Sequence, residues 1–227
     1  MRGILYGVSV GPGDPEMMTL KACRMIRSCG TVAYPEGRQK EHGMAFRIAE
    51  AAVPEILEKH QLPLALPMTR DREALRQAHM DAAGKLEAVL DRGEDVAYLT
   101  LGDVTVYSTF SYVQKIVEED GYSVSLISGV TSFCAASAEL GRPLVLGEEK
   151  LVVMPSSQFV KDEDTGHETV YALMKSGRNL QEIRDKVRLT GKEAQMVENC
   201  GMEGQRVWKK TDDIPDRAGY FTTLICR

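Results

Sequence analysis

The sequence predicts an α/β protein in which two sheet-containing domains follow one another along the chain. In the first part, strand-like and helix-like runs alternate, which indicates right-handed βαβ units and a mostly parallel sheet with flanking helices. After about residue 145, five strand-like runs accompany one clear helix, which predicts a smaller mixed sheet. We place the boundary near Leu146, so that residues 1–146 form an N-terminal α/β domain and residues 147–227 a C-terminal α/β domain.

The N-terminal elements follow from local patterns. The first strand, residues 4–10, combines small and apolar residues without a charge, as an interior parallel strand should. A helix is expected over residues 14–30, because Asp14 suits its N-cap, Pro15 its first position and Gly30 its end. Further along this half we expect strands at 31–35, 95–101 and 122–128, and helices at 43–53, 72–94, 109–121 and 129–141.

The second half is richer in strands. The apolar, β-branched runs predict strands at 150–155, 167–174, 193–199, 205–210 and 219–226. A single amphipathic pattern predicts a helix over 179–189. No internal repeat accompanies these elements, so the two domains are expected to differ in architecture.

Composition excludes several classes of protein. A net charge of −5 and a pI of about 5.5 do not suggest a nucleic-acid partner. Five cysteines, an odd number without a CxxC pair, and four scattered histidines predict reduced thiols and no metal site. No apolar run approaches the ~20 residues of a membrane helix, so we expect a cytoplasmic protein with no membrane partner.

Three glycine-containing loops follow predicted strands, where open α/β sheets bind ligands. In the first loop, residues 11–16, Pro12 lacks an N–H group, and Asp14 and Glu16 would repel a phosphate. Glu16 also stands where a dinucleotide fingerprint needs glycine, which disfavours a dinucleotide oxidoreductase. The other two loops are residues 102–103 and 129–132. None contains Lys or Arg, so we expect a ligand offering an amine, a sulfonium or an adenine edge. Each loop taken alone is better explained as a simple turn with a helix cap, but three loops with the same chemistry together favour a ligand site.

The same loops resemble the motifs of the tetrapyrrole methylases, enzymes that use S-adenosylmethionine. Residues 7–22, GVSVGPGDPEMMTLKA, are similar to the opening GVGPGDPELLTLKA of that family. The segments LGDVTVYSTF, SGVTSFCAA and VENCGMEGQRV resemble its GDPxxYST, PGVTSF and ENxGxxxQRV stretches, in the same order along the chain. LPMTRD, residues 66–71, resembles the FPMTRD signature of the precorrin-2 C20-methyltransferase branch.

The resemblance implies a tetrapyrrole methylase fold with the cofactor in the cleft between the two domains, usually in a homodimer. It implies S-adenosylmethionine as cofactor and C20 of precorrin-2 or cobalt-precorrin-2 as the methylated position, in cobalamin biosynthesis. A different precorrin position or a diphthine-synthase-like methylase is the alternative. The cofactor contacts it implies are Pro12, Leu101, Gly102, Asp103, Val106, Thr131, Ser132, Met174 and Cys200.

To catalyse methyl transfer, the protein must align the acceptor carbon, exclude water and take up the proton that is released afterwards. Asp103 and Tyr107 are the candidate catalytic residues. A polycarboxylate macrocycle would need local cations in an acidic protein, and Arg38, Arg70 and Arg72 are the candidates; Lys40 and Arg142 also lie in predicted loops.

One departure from the family pattern concerns the second loop. The family has proline after the loop aspartate, whereas this chain has Val104. Because valine lacks the proline ring and retains an N–H group, we expect this loop to be less rigid than in relatives.

Overall fold

A computed structural model describes residues 1–37, 42–69, 71–161 and 168–227 of the chain. These residues form two compact units, Met1–Val130 and Thr131–Arg227. Each contains a five-stranded sheet, which confirms the predicted α/β class. The domain limits near Leu146 stay a prediction.

The first unit contains a parallel sheet. Its strands are β1 (Ile4–Ser9), β2 (Thr31–Pro35), β3 (His60–Leu64), β4 (Val96–Thr100) and β5 (Ser123–Ile127), and its helices are α1 (Leu20–Ser28), α2 (Met44–Ala52), α3 (Arg72–Leu90) and α4 (Phe110–Glu119). The strand order is β3-β2-β4-β1-β5, and every neighbouring pair is parallel. The carboxyl ends of β4, β1 and β5 therefore lie side by side.

The core of this unit explains a glycine inside β1. Every residue of β4 is buried, and Tyr98 packs against Phe110 of α4 with ring centroids 4.8 Å apart. A Cβ atom on Gly7 would lie 2.5 Å from the Phe110 ring. The α4 helix therefore packs closely on β1 because residue 7 has no side chain.

Two local predictions differ from the structure. The helix expected over 14–30 is a 3-10 turn, Pro15–Met17, followed by α1, because the backbone is extended at Thr19. The Thr19 hydroxyl accepts a hydrogen bond from Ala22 N–H at 3.1 Å, so it caps α1. The edge strand β3 was not predicted, because Pro63 and its exposed positions obscure the strand pattern.

The second unit contains a mixed sheet, as predicted. Its elements are α5 (Ser132–Glu139), β6 (Lys150–Pro155), α6 (Ser156–Phe159), β7 (Thr169–Met174), α7 (Leu180–Leu189), β8 (Ala194–Glu198), β9 (Arg206–Trp208) and β10 (Thr222–Cys226). The order is β6-β7-β10-β8-β9. Since β10 is antiparallel to both β7 and β8, the carboxyl ends of β7 and β8 lie at one edge, beside the start of β10.

Neither a membrane-spanning helix nor a metal-binding cluster is found in the described ranges. No helix there is long and apolar enough to cross a bilayer. No group of His, Cys, Asp and Glu side chains within those ranges could hold a metal ion.

Candidate functional site

The first two predicted loops are joined by backbone hydrogen bonds in the first unit. Gly11 and Gly102 form an antiparallel bridge, in which Gly102 N–H donates to Gly11 C=O at 2.7 Å and Gly11 N–H donates to Gly102 C=O at 3.3 Å. Both glycines have φ near +77°, a region that favours glycine. A Cβ atom on Gly102 would meet no atom within 4 Å among the described residues, so this side of the loop is open to a ligand.

Asp103 ties the second loop to the third. Its Oδ2 accepts hydrogen bonds from Ser128 Oγ at 2.5 Å and from Gly129 N–H at 2.7 Å. Its Oδ1 accepts two more from Thr105, one from the hydroxyl at 2.5 Å and one from the N–H at 2.8 Å. The carboxylate is thus surrounded by four protein donors, and the residue is buried.

These bonds set the protonation state of Asp103. Burial by itself raises the pKa of its carboxyl, but hydrogen bonds from Ser128, Thr105 and Gly129 outweigh burial and hold the pKa below its ordinary value. The group is therefore ionised at neutral pH and a weak proton acceptor. The geometry favours a role in holding the loops together.

Val104 has a backbone N–H group, which a proline at this position would lack, and the structure shows its partner. The N–H group that proline would lack donates to Ser9 Oγ at 2.8 Å, in a buried hydrogen bond between the end of β1 and the second loop. Ser9 is fully buried, and its Cβ lies 2.5 Å from the place that a Cβ on Gly129 would occupy. Ser9, the last residue of β1, therefore lies against both the second and the third loop.

We expect Ser9→Ala to lower the free energy of unfolding by about 1–3 kcal/mol, since it leaves the buried Val104 N–H without an acceptor. In a Val104→Pro background, the same substitution should have a smaller effect, because no N–H remains to be satisfied. Urea unfolding of the four proteins in this double-mutant cycle measures the coupling. Equal effects of Ser9→Ala in both backgrounds would contradict this account.

Three non-glycine residues of the described chain have left-handed backbone conformations, and each follows a strand of the candidate site. Tyr107 (φ 47°) lies beyond β4, Lys175 (φ 57°) directly follows β7, and Asn199 (φ 52°) directly follows β8. Such conformations are unfavourable for residues with a Cβ and are enriched at functional sites. The second unit thus presents two such turns at the edge where Met174 and Cys200 lie.

Thr131 and Ser132, at the start of α5, have unused hydroxyl groups. Thr131 is the N-cap of α5, yet its side chain makes no capping hydrogen bond. Thr131 Oγ1 and Ser132 Oγ are both buried and have no hydrogen-bond partner among the described residues. Because buried polar atoms are nearly always paired, these two hydroxyls suit the polar atoms of a ligand.

The turn after β8 is held by a buried carboxylate. Glu198 Oε2 accepts from Arg206 Nη2 at 2.6 Å and from Nε at 2.9 Å, and Oε1 accepts from Gly219 N–H at 2.5 Å. Cys200 lies two residues further on and is buried, which raises the pKa of its thiol to about 11, with Glu139 contributing. Cys200 is therefore a neutral thiol, and a ligand would meet it as a small side chain or through its backbone.

The remaining predicted site residues vary in exposure. Pro12 is buried, while Leu101, Val106 and Met174 are half-buried. Arg72 is exposed as the first residue of α3, and Arg142 is also exposed. Arg38, Lys40 and Arg70 lie outside the described residues.

The sequence patterns did not predict the roles of four residues in the candidate site, which are Ser9, Thr105, Ser128 and Glu198. Three of them, Ser9, Ser128 and Glu198, are polar residues within or directly beside an apolar strand, and that placement was the available signal, whereas Thr105 lies in the second loop. The partners of Ser9 and Ser128 could not be inferred, because those partners lie elsewhere in the sequence. Ser9 and Val104, for example, are 95 residues apart.

Comparisons with known proteins agree with these motifs. A relative from Methanocaldococcus jannaschii, named probable cobalt-precorrin-2 C(20)-methyltransferase, is 35% identical over 78% of this chain and 74% of its own. The cobalamin biosynthesis protein CobIJ of Mycobacterium tuberculosis is 33% identical over 99% of this chain, which spans 46% of the CobIJ length.

A solved structure and a family model also match this chain. Uroporphyrin-III C-methyl transferase from Thermus thermophilus, complexed with S-adenosyl homocysteine, superposes with a TM-score of 0.67 at 18% identity, over 99% of this chain and 97% of its own. The profile of the family described as Tetrapyrrole (Corrin/Porphyrin) Methylases matches residues 4–214. The chain therefore belongs to the tetrapyrrole (corrin/porphyrin) methylases, a family of methyltransferases.

Proposed function

We propose that this protein uses S-adenosylmethionine to methylate C20 of precorrin-2 or cobalt-precorrin-2 in cobalamin biosynthesis. The observation that carries the cofactor assignment is the pair of buried, unpartnered hydroxyls of Thr131 and Ser132, at positions that the family motif assigns to the cofactor. The name and 35% identity of the Methanocaldococcus jannaschii relative support the C20 position. The segment LPMTRD supports the same branch.

The residues present fit this cofactor. The loops offer open backbone at Gly102 and hydroxyls at Thr131 and Ser132, and the loops ending β1 and β4 contain no cation that would favour a phosphate. S-adenosylmethionine, when bound, supplies a methyl group on a sulfonium for in-line transfer to a nucleophilic carbon. We assign the backbone of residues 101–103 and the hydroxyls of Thr131 and Ser132 to holding it, together with Met174 and Cys200.

Asp103 acts, in this proposal, by positioning. Its oxygens already accept four hydrogen bonds, and its lowered pKa makes it a weak base. It keeps the Gly102 and Gly129 loops at a fixed separation. In-line methyl transfer depends on alignment of the methyl group with the acceptor carbon, and fixed loops support that alignment. Tyr107, 46% exposed and in a left-handed turn three residues after Val104, remains the candidate for contact with the substrate.

The proposal also includes a cytoplasmic homodimer that acts on a polycarboxylate tetrapyrrole. The family resemblance supports the homodimer. Whether the acceptor contains cobalt is decided by the same experiment that tests the activity.

We expect one methyl group to be added to precorrin-2 or to cobalt-precorrin-2 when either is incubated anaerobically with the protein and S-adenosylmethionine. Mass spectrometry measures the addition, and carbon-13 NMR with a labelled methyl group locates it at C20. A Thr131→Val, Ser132→Ala double variant should bind S-adenosylhomocysteine about tenfold or more weakly, because each lost hydroxyl removes a hydrogen bond.

Cys134→Ala is a matched control for the double variant, since Cys134 is exposed on the same helix. Methylation at another ring position would overturn the C20 assignment, while the assignment to the tetrapyrrole methylase family would stand. Unchanged cofactor affinity in the double variant would overturn the role of the two hydroxyls.

A further inference from the structure

The second unit contains a cavity lined by two arginines that no step of the proposed reaction has used. The cavity has a volume of about 400 Å3 and is bounded by Gly177, Arg178, Arg217 and Ala218. Arg178 lies between β7 and α7, and Arg217 lies shortly before β10. The two guanidinium groups thus come from segments far apart in the sequence.

The backbones that present these arginines are held firmly together. A Cβ on Gly177 would lie 2.2 Å from Gly219 C=O and 2.5 Å from Ala218 C=O, so only glycine permits this approach. Ala218 N–H donates to Gly177 C=O at 3.2 Å. Gly219 N–H donates to the buried Glu198, which also anchors the turn before Cys200. The cavity is therefore a feature of the folded backbone.

Three acidic residues of this unit are paired with other arginines. Asp216, the neighbour of Arg217 in the chain, pairs with Arg184, and Asp212 pairs with Arg188. Glu198 pairs with Arg206. Within the described ranges, neither Arg178 nor Arg217 has a carboxylate at ion-pair distance, whereas the three arginines just named do.

The cavity lies next to the predicted cofactor contacts of this unit. Residues 175–177 connect Met174, the last residue of β7, to Arg178. On the other side, Gly219 precedes the start of β10, where Thr223 pairs with Met174. The segments that line the cavity are therefore continuous with the edge of the sheet where β7 ends and β10 begins.

We propose that Arg178 and Arg217 form a binding site for the carboxylates at the periphery of the tetrapyrrole substrate. A guanidinium donates two parallel hydrogen bonds to a carboxylate, and two guanidiniums with no carboxylate partner among the described residues suit a ligand with several acidic side chains. This site rests on the proposed function and names the residues that recognise its polycarboxylate substrate.

Steady-state methylation of cobalt-precorrin-2 and of precorrin-2 by the full chain tests this site. Arg178→Ala and Arg217→Ala should each raise KM about tenfold while kcat changes little, because each loses charge-assisted hydrogen bonds to the substrate. Arg178→Lys and Arg217→Lys should recover part of the affinity. The dissociation constant for S-adenosylhomocysteine should not change in any of these variants.

Arg188→Ala is the matched control, since it removes the same charge from an exposed side chain that is already paired with Asp212. It should leave KM unchanged. If Arg188→Ala raises KM as much as Arg178→Ala does, general charge attraction explains the effect and the site is overturned. Weaker binding of S-adenosylhomocysteine, without a change in the KM for the tetrapyrrole, would assign the arginines to the cofactor and also overturn it.

A binding measurement separates failure of the site from failure of the proposed function. Uroporphyrin III, a stable polycarboxylate porphyrin, is titrated into each variant and followed by its fluorescence. If the wild type methylates neither precorrin, the proposed function fails, and loss of porphyrin binding in the Arg178 and Arg217 variants still supports the site. Porphyrin binding and KM values that do not depend on these arginines would overturn the site, whatever the reaction.

Discussion

Asp103→Ala is expected to lower the free energy of unfolding by about 3 kcal/mol, because four donors lose a buried, charged acceptor. The same substitution should weaken binding of S-adenosylhomocysteine, since the Gly102 loop and the Gly129 loop lose their connection. Asp71→Ala is the matched control. Asp71 is an exposed N-cap that accepts two backbone hydrogen bonds, and its loss should cost about 1 kcal/mol without an effect on cofactor binding.

The effect of Asp103 should depend on pH in a defined direction. The pKa of Asp103 is lowered in the folded state, so the ionised form stabilises the fold fully above the unfolded pKa of about 4. This contribution is lost as the pH falls through the lower folded pKa. Urea unfolding at a series of pH values should therefore show wild type and Asp103→Ala converging below about pH 4. A difference that stays constant down to pH 2 would contradict the assignment.

Gly129→Ala is expected to destabilise the protein by about 1–3 kcal/mol through overpacking. The new Cβ would lie 2.5 Å from the Cβ of Ser9 and 3.3 Å from the carbonyl oxygen of Gly102. Because the loop must shift to relieve the contact, we also expect weaker binding of S-adenosylhomocysteine. Thermal unfolding and isothermal titration calorimetry measure the two effects.

Two further variants identify the cause of the Gly129→Ala effect. In the Ser9→Gly background the Ser9 Cβ is absent, so Gly129→Ala should be less harmful there than in the wild type. Gly84→Ala is the control, because Gly84 is an exposed residue in α3 whose added Cβ would meet no atom within 4 Å among the described residues. It should raise stability by about 1 kcal/mol. An equal loss from Gly129→Ala in both backgrounds would exclude the contact with Ser9.

Local patterns in the sequence were enough to predict the α/β class and most elements. The alternation of strands and helices before about residue 145 predicted the parallel sheet, and the strand-rich second part predicted the mixed sheet. The motif segments also predicted which strand ends carry the candidate site. These features depend on hydrophobic period and on capping residues, which act over a few positions of the chain.

Prediction was weaker where a local signal was interrupted. β3 was missed because Pro63 and exposed side chains hide an edge strand, and the first helix was placed too early because Asp14 and Pro15 begin a separate 3-10 turn. In both cases tertiary contacts decide the outcome. β3 is held by parallel pairing with β2, a contact that no local pattern reports.

The sequence by itself therefore determined the fold class and the family, and it predicted which loops form the candidate site. Only the tertiary structure decided what the polar groups of those loops contact. Asp103 was predicted as a ligand contact and a catalytic group, and two of the four hydrogen bonds that its carboxylate accepts come from Ser128 and Gly129, 25 and 26 residues away. Arg178 and Arg217 likewise share a cavity only because β7 pairs with β10. Hydrogen bonds and charges act between neighbours in space, and those neighbours are set by strand order.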